Sequence, residues 1–208
     1  MRFRNDGAIT TSPVLERIKG GQSYKEDKNT GTSRFGDTED FRLWWEGSAK
    51  DLSSPSGGPN KPSSSTITIS ANVNYDEDGS SFSGTQDNKA GKQLALPEHI
   101  DTSRPITCKC RVAMAGTAIT QVQTQMYLTE IQEGDVLNVD TVEQTPVTTN
   151  FNGPGTANEE VSLEFEFYVP DLVPGDSIGF LFERIGSADP NNDALILQTV
   201  EWLGYFWD

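Results

Sequence analysis

An all-β fold, an antiparallel jelly-roll sandwich, is what this sequence predicts, on three observations. Apolar and polar residues alternate with period two in segment after segment beyond residue 65. Clusters of Pro, Gly, Asn and Asp separate those segments at regular intervals. No stretch carries a long helical repeat, which leaves a sandwich as the architecture.

Taken in order, residues 1–65 read as an extended, largely irregular N-terminal arm, and residues 66–208 as the sandwich. The arm is rich in Gly, Ser, Thr, Asn and charge, and its apolar residues come only in short islands, too few to build a core. One island, 12–21, has Ser12 as a cap, Pro13 in the first turn and a Gly20-Gly21 stop, which predicts one or two helical turns. A second, 41–47, is an aromatic strand around Trp44 and Trp45. Residues 53–65 are a Ser/Gly/Pro linker.

Within the sandwich, Thr66-Ile67-Thr68-Ile69-Ser70 alternates with β-branched residues. In 107–115, Cys108, Cys110, Val112 and Met114 share a face opposite Lys109 and Arg111. In 121–131, Val122, Thr124, Met126 and Leu128 oppose Gln121, Gln123 and Gln125. In 161–169, Val161, Leu163, Phe165, Phe167 and Val169 oppose Ser162, Glu164, Glu166 and Tyr168. Strands this clean in sidedness belong to sheets with one wet face. Residues 170–176 make a turn, 177–185 a further strand, and 188–193 the next turn. The closing strand, 195–207, differs. One face holds Ile196, Val200, Trp202 and Phe206, the other Leu195, Leu197, Leu203, Tyr205 and Trp207. With no polar face it predicts cover on both sides, from the Trp44-Trp45 strand or from another copy of the chain.

Charge narrows the function. The 208 residues carry 16 Lys/Arg against 31 Asp/Glu, a formal net charge of −15. Residues 1–62 hold ten basic and nine acidic residues, whereas 63–208 hold six and 22. Such a chain is expected to be soluble and to have no nucleic-acid partner. No apolar run reaches the roughly 20 residues of a membrane span, and no apolar stretch follows Met1 to Asp6, so neither a membrane partner nor a signal peptide is expected. Two cysteines make no disulfide scaffold, and one histidine leaves little for histidine chemistry.

Arg184 follows Ile178, Phe180 and Phe182 on one strand face and should emerge at the rim of the core, either at the surface or paired with carboxylates through its planar fork. Cys108 and Cys110 read as small core hydrophobes, since two positions on one strand stand too far apart for an unstrained bridge. Asp76-Glu77-Asp78-Gly79 and Asp189-Pro190-Asn191-Asn192-Asp193 offer oxygen ligands but lack the calcium-loop spacing, and read as solvated turns. Glu164 and Glu166 sit on a wet face with no pocket to raise a pKa. No metal, no cofactor and no catalytic set is expected, and the chain reads as a non-enzyme.

These residues also carry a resemblance. The run 106–116, the strand Thr124-Gln125-Met126-Tyr127-Leu128, the acidic Glu133-Gly134-Asp135, the run 172–184 ending in Arg184, and the closing Asp193 to Trp202 stand in the order of a known domain, with Leu43-Trp44-Trp45-Glu46-Gly47 as its opening strand. The chain resembles the jelly-roll domain of tailed-phage virion proteins. The resemblance implies a homotrimeric capsid decoration (cement) protein on the capsid surface of the virion, clamping the major capsid protein. Its interface would use Trp44, Trp45, Arg184, Trp202, Tyr205 and Trp207, and its arm would hold the shell through Arg2, Arg4, Arg17, Lys19 and Lys25. The alternative is a tail or fibre-tip module that recognises a host-surface glycan through Trp44, Trp45 or Trp207, with a carbohydrate-binding module of a secreted enzyme as a variant.

Overall fold

Period-two alternation puts successive side chains on opposite faces of a strand, and the fold is two antiparallel sheets pressed together on their apolar faces. The computed structural model describes residues 14–16, 23–26, 33–36, 39–53, 62–70, 75–136 and 141–207. Its strands are β1 (Val14–Glu16), β2 (Ser23–Glu26), β3 (Ser33–Gly36), β4 (Glu39–Ser48), β5 (Ser63–Ser70), β6 (Tyr75–Phe82), β7 (Asp87–Ala95), β8 (Ile106–Met114), β9 (Gln121–Ile131), β10 (Val142–Glu143), β11 (Val147–Asn152), β12 (Glu160–Phe167), β13 (Ser177–Ile185) and β14 (Leu195–Trp207).

Among the described residues the first sheet runs β12-β8-β14-β6-β5, with β4 beside β6 on the same edge of β14. The second runs β10-β9-β13-β7, with β11 following β10 along β9. The expected all-β jelly-roll sandwich is this one. The faces of β8, β9, β12 and β13 are those the alternation predicts, with Cys108, Cys110, Val122, Met126, Phe165 and Phe182 buried. Phe82, Phe165 and Phe182 meet edge to face, at centroid distances of 5.2 and 6.1 Å. The Cys108 and Cys110 Sγ atoms lie 3.9 Å apart inside this core, and burial pushes the Cys108 thiol well above its ordinary range.

Two bulges reorganise the closing strand. Leu197 pairs with Val112 and Thr199 with Arg111, so Gln198 is an extra residue that reverses the alternation. Leu195 and Leu197 thereby join Val200, Trp202 and Phe206 on the core side. The strand divides its apolar residues between its faces differently from the sequence expectation. Its outer face carries Ile196, covered by Ile67 and Ala113, and farther along Glu201, Leu203 and Tyr205. The second bulge places Trp44 and Trp45 opposite Trp202, and both tryptophans pack on the core. The tryptophan strand is therefore part of the sandwich, and not of a separate arm.

Other expectations are corrected as well. Val14–Glu16 is a strand where helical turns were expected, and β1, β2 and β3 form a three-stranded antiparallel sheet within the stretch read as an irregular arm. Asp76 to Gly79 lie in β6 and not in a turn, with Asp78 ion-paired to Lys50 at 2.5 Å. The turn before β13 reads as its residues predict. Gly175 has φ +97° after Pro174, and the Asp176 amide donates to the Val173 carbonyl at 3.0 Å, a type II arrangement.

Candidate functional site

The five-stranded sheet turns its other face to solvent, and antiparallel register assembles that face in rows. Gly179 pairs with Gln93 of β7 and Thr129 of β9; Leu181 pairs with Gly91 and Tyr127; Glu183 pairs with Lys89 and Gln125. Thr148, Asn150 and Asn152 of β11 extend the face beyond Gln125, Gln123 and Gln121. The result is a sheet face of amides and hydroxyls with one aromatic ring, Tyr127, near its middle.

A groove of about 450 Å³ crosses this face. Lys89, Tyr127, Thr129, Leu181 and Glu143 line it from the open face. Lys92, Phe180, Leu128 and Gln144 also line it, as the row next to Gly179, but their side chains alternate to the opposite face. There the Lys92 ammonium lies 5.4 Å from the Trp45 ring.

Gly179 opens the groove. A glycine within a strand costs about 0.5–1 kcal/mol relative to alanine and needs a reason. Backbone conformation supplies none, since the positive-φ glycines are Gly134, Gly155 and Gly175. Packing supplies none either, because a Cβ at Gly179 would meet nothing nearer than Thr129 Cβ at 3.7 Å and Ile131 Cδ1 at 3.8 Å. Gly91, one strand away, is different. A Cβ there would fall 1.9 Å from the Phe180 carbonyl oxygen. Gly91 is required by the fold, whereas Gly179 is required only if the space above it is used.

Beside the groove, Glu183 is only 3% exposed although it points to the open face. Lys89 Nζ lies 2.9 Å from its Oε1, Tyr127 Oη donates to its Oε2 at 2.7 Å, and Gln125 Nε2 donates to the same oxygen. Gln125 Nε2 also reaches Tyr127 Oη at 2.6 Å, and the Lys89 ammonium lies 5.0 Å from the Tyr127 ring centroid. Burial works against the Lys89 charge, but the hydrogen bond and charge of Glu183 outweigh it and hold its pKa above the ordinary lysine value. Burial, then the hydrogen bond and charge of Glu183, push the Tyr127 phenol up. On the core-facing side of β9, Gln144 Nε2 donates to Glu130, whose carboxyl is raised by burial, against the opposing hydrogen bond.

The residues proposed from sequence lie elsewhere. Arg184 is wholly buried and not at an interface. Its Nε and Nη2 grip Asp189 at 3.0 and 3.2 Å, and its Nη groups donate to the carbonyls of Phe82, Asn191 and Asp193. The Asp189–Asp193 turn is thus a buried plug and not a solvated one: Asn191 Nδ2 donates to the carbonyls of Ala118 and Thr120, and Asp193 Oδ2 accepts from Ala118 N. Trp202 is buried beside Phe167 and Phe180 and presents nothing to a partner. Trp44 and Trp45 are half-buried and turned to the core, which removes them as an exposed glycan platform. Tyr205 lies on the outer face, 4.8 Å from the Phe41 ring and 4.0 Å below the Arg104 guanidinium. Trp207 stands in β14 and Lys25 in β2, with side chains outside the described residues; Arg2, Arg4, Arg17 and Lys19 lie outside them altogether. Sequence reasoning missed Gly179, although a glycine inside an alternating strand is itself a signal of close approach by another group.

No protein-family model and no curated protein matches the chain. Among solved structures, it is similar to the family 11 carbohydrate-binding module from Clostridium thermocellum in complex with a β-1,3-1,4-mixed-linked tetrasaccharide, at 13% identity and TM-score 0.43 over 81% of this chain and 98% of that one. It is also similar to the exo-β-1,3-galactanase of Phanerochaete chrysosporium with galactose, at 12% identity and TM-score 0.42 over 86% of this chain. A third is the enzymatically active domain of bacteriophage CBA120 tailspike protein 4, at 10% identity and TM-score 0.42 over 76% of this chain. The chain spans 32% of the galactanase and 20% of the tailspike structure. At these values the likenesses carry no argument about ligand or activity.

Proposed function

We propose that this chain is a non-catalytic binding module that takes a saccharide in the groove above Gly179. A sugar offers hydroxyls that both donate and accept, and C–H faces that prefer an apolar surface. The groove answers both needs, with Tyr127 and Leu181 as surface and Thr129 and Glu143 as polar borders. The observation that carries the reading is Gly179, a strand glycine whose missing side chain serves no packing or backbone purpose but keeps the groove open. Glu183, the carboxylate beside Tyr127, has both oxygens engaged by Lys89, Tyr127 and Gln125.

The sequence resemblance to tailed-phage virion proteins supplies the setting, a tail or fibre tip meeting a host-surface glycan. We prefer this to a capsid cement protein because the groove above Gly179 offers a place for a saccharide, whereas Arg2, Arg4, Arg17 and Lys19 of the arm on which the cement reading relied lie outside the described residues.

Glycan-array binding by the full chain and by a Gly179→Val variant tests the reading. Valine suits a strand and finds room for its Cβ, so the variant should melt at or above the wild-type temperature. It should lose at least about tenfold in glycan affinity, some 1.4 kcal/mol. Wild-type protein that binds no glycan, or a folded variant that binds undiminished, would overturn it.

A further inference from the structure

We infer that Glu183 sets the ligand's charge class: by holding Lys89, it makes the groove take uncharged sugars and turn away carboxylated ones. The inference rests on the saccharide reading above and names its substrate class.

Among the described residues that line the groove, Lys89 is the cation on the open face, since the Lys92 side chain alternates to the other face beside Trp45. Register places Lys89 directly opposite Glu183, so the ion pair at 2.9 Å is built into the pairing of β7 with β13. A ligand carboxylate seeking Lys89 would have to draw it off a carboxylate that is 3% exposed. Leaving a buried charge without its partner is strongly unfavourable. The surroundings add to the penalty. Glu143 stands on the opposite border, and residues 63–208 hold 22 Asp/Glu against six Lys/Arg. An acidic sugar meets like charge at Glu143 and a Lys89 already committed to Glu183, which is how a site rejects a competitor of similar shape. A neutral sugar makes no such demand and can use Thr129 and the Tyr127 ring as they stand.

The test uses the full chain and matched probes: galactan against polygalacturonate, xylan against glucuronoxylan, and unsialylated against sialylated lactosamine, by affinity electrophoresis and calorimetry. Wild-type protein should bind a neutral member at least about tenfold more tightly than its carboxylated counterpart. Glu183→Gln keeps a side chain of the same shape but releases the Lys89 charge. It should raise affinity for the carboxylated member by about tenfold and change neutral binding by less than about threefold. Adding Lys89→Met should abolish the gain. Equal wild-type binding of both members, or an unchanged preference in folded Glu183→Gln, would overturn the inference while leaving the saccharide reading intact. Failure to bind any glycan would overturn both.

Discussion

Glu183 and Arg184 are neighbours on β13, both are out of water, and they are held by different kinds of partner. Arg184 faces the core, where its fork spans Asp189 and reaches three main-chain carbonyls. Glu183 faces the open sheet and is capped by three side chains, Lys89, Tyr127 and Gln125, from the strands on either side. A charge tied to main chain is part of the fold, since its partners cannot leave without unfolding a loop. A charge capped by side chains can be uncovered by one substitution, and its cap can differ between related chains with the backbone unchanged. The plug around Arg184 therefore serves architecture, while the cluster around Glu183 is suited to tune a surface.

The largest expected effect comes from breaking the architectural member of the pair. Arg184→Ala strands the Asp189 carboxylate in the interior and removes the donors of three carbonyls. Urea unfolding should show a loss of about 3–5 kcal/mol. The effect of Glu183→Gln should be smaller, about 1–3 kcal/mol, because the amide still accepts from Tyr127 and the cluster can open to water. Equal losses for the two variants would break the comparison, since the side-chain cap would then matter to the fold as much as the main-chain one.

The smallest effect is one of pH. The Lys89 and Tyr127 pKa values are raised above the ordinary 10.5 and 10.0, and that of Cys108 well above 9.0. Above each ordinary value the folded chain therefore binds more protons than the unfolded one, and stability falls as pH rises. The contribution is complete below the ordinary value and is lost as pH climbs through the raised one. Thermal melts followed by circular dichroism should show Tm declining from about pH 9 upward. Cys108→Ala should flatten the onset of that decline, and Lys89→Met or Tyr127→Phe its continuation above about pH 10. An unchanged slope in all three variants would show that these groups do not govern the alkaline limb.

Much of the architecture was legible because the signal is local. The pleat alone decides that Val122, Met126 and Leu128 share a side, and hydrophobicity decides which side is buried. Pro174 and Gly175 announced their turn by backbone preference. The bulges at Gln198 and Trp44 left no compositional trace, since one extra residue changes the phase of a strand without changing its residue types. Phase decided the site and interface readings. Leu195 and Leu197 were set on the face opposite Val200, Trp202 and Phe206, and the bulge at Gln198 joins them to it.

What the sequence by itself determined is the sandwich, the inward set of most strands, and the sharp change in charge between the two parts of the chain. Each follows from neighbours a few residues apart. Only the tertiary structure decided that β7 and β9 flank β13, which brings Lys89, Tyr127 and Glu183 together and sets Gly179 between Gln93 and Thr129. Strand order and register are non-local: they depend on which apolar faces pack together across the core and on how the connecting loops close, and neither is encoded in the alternation of a single strand.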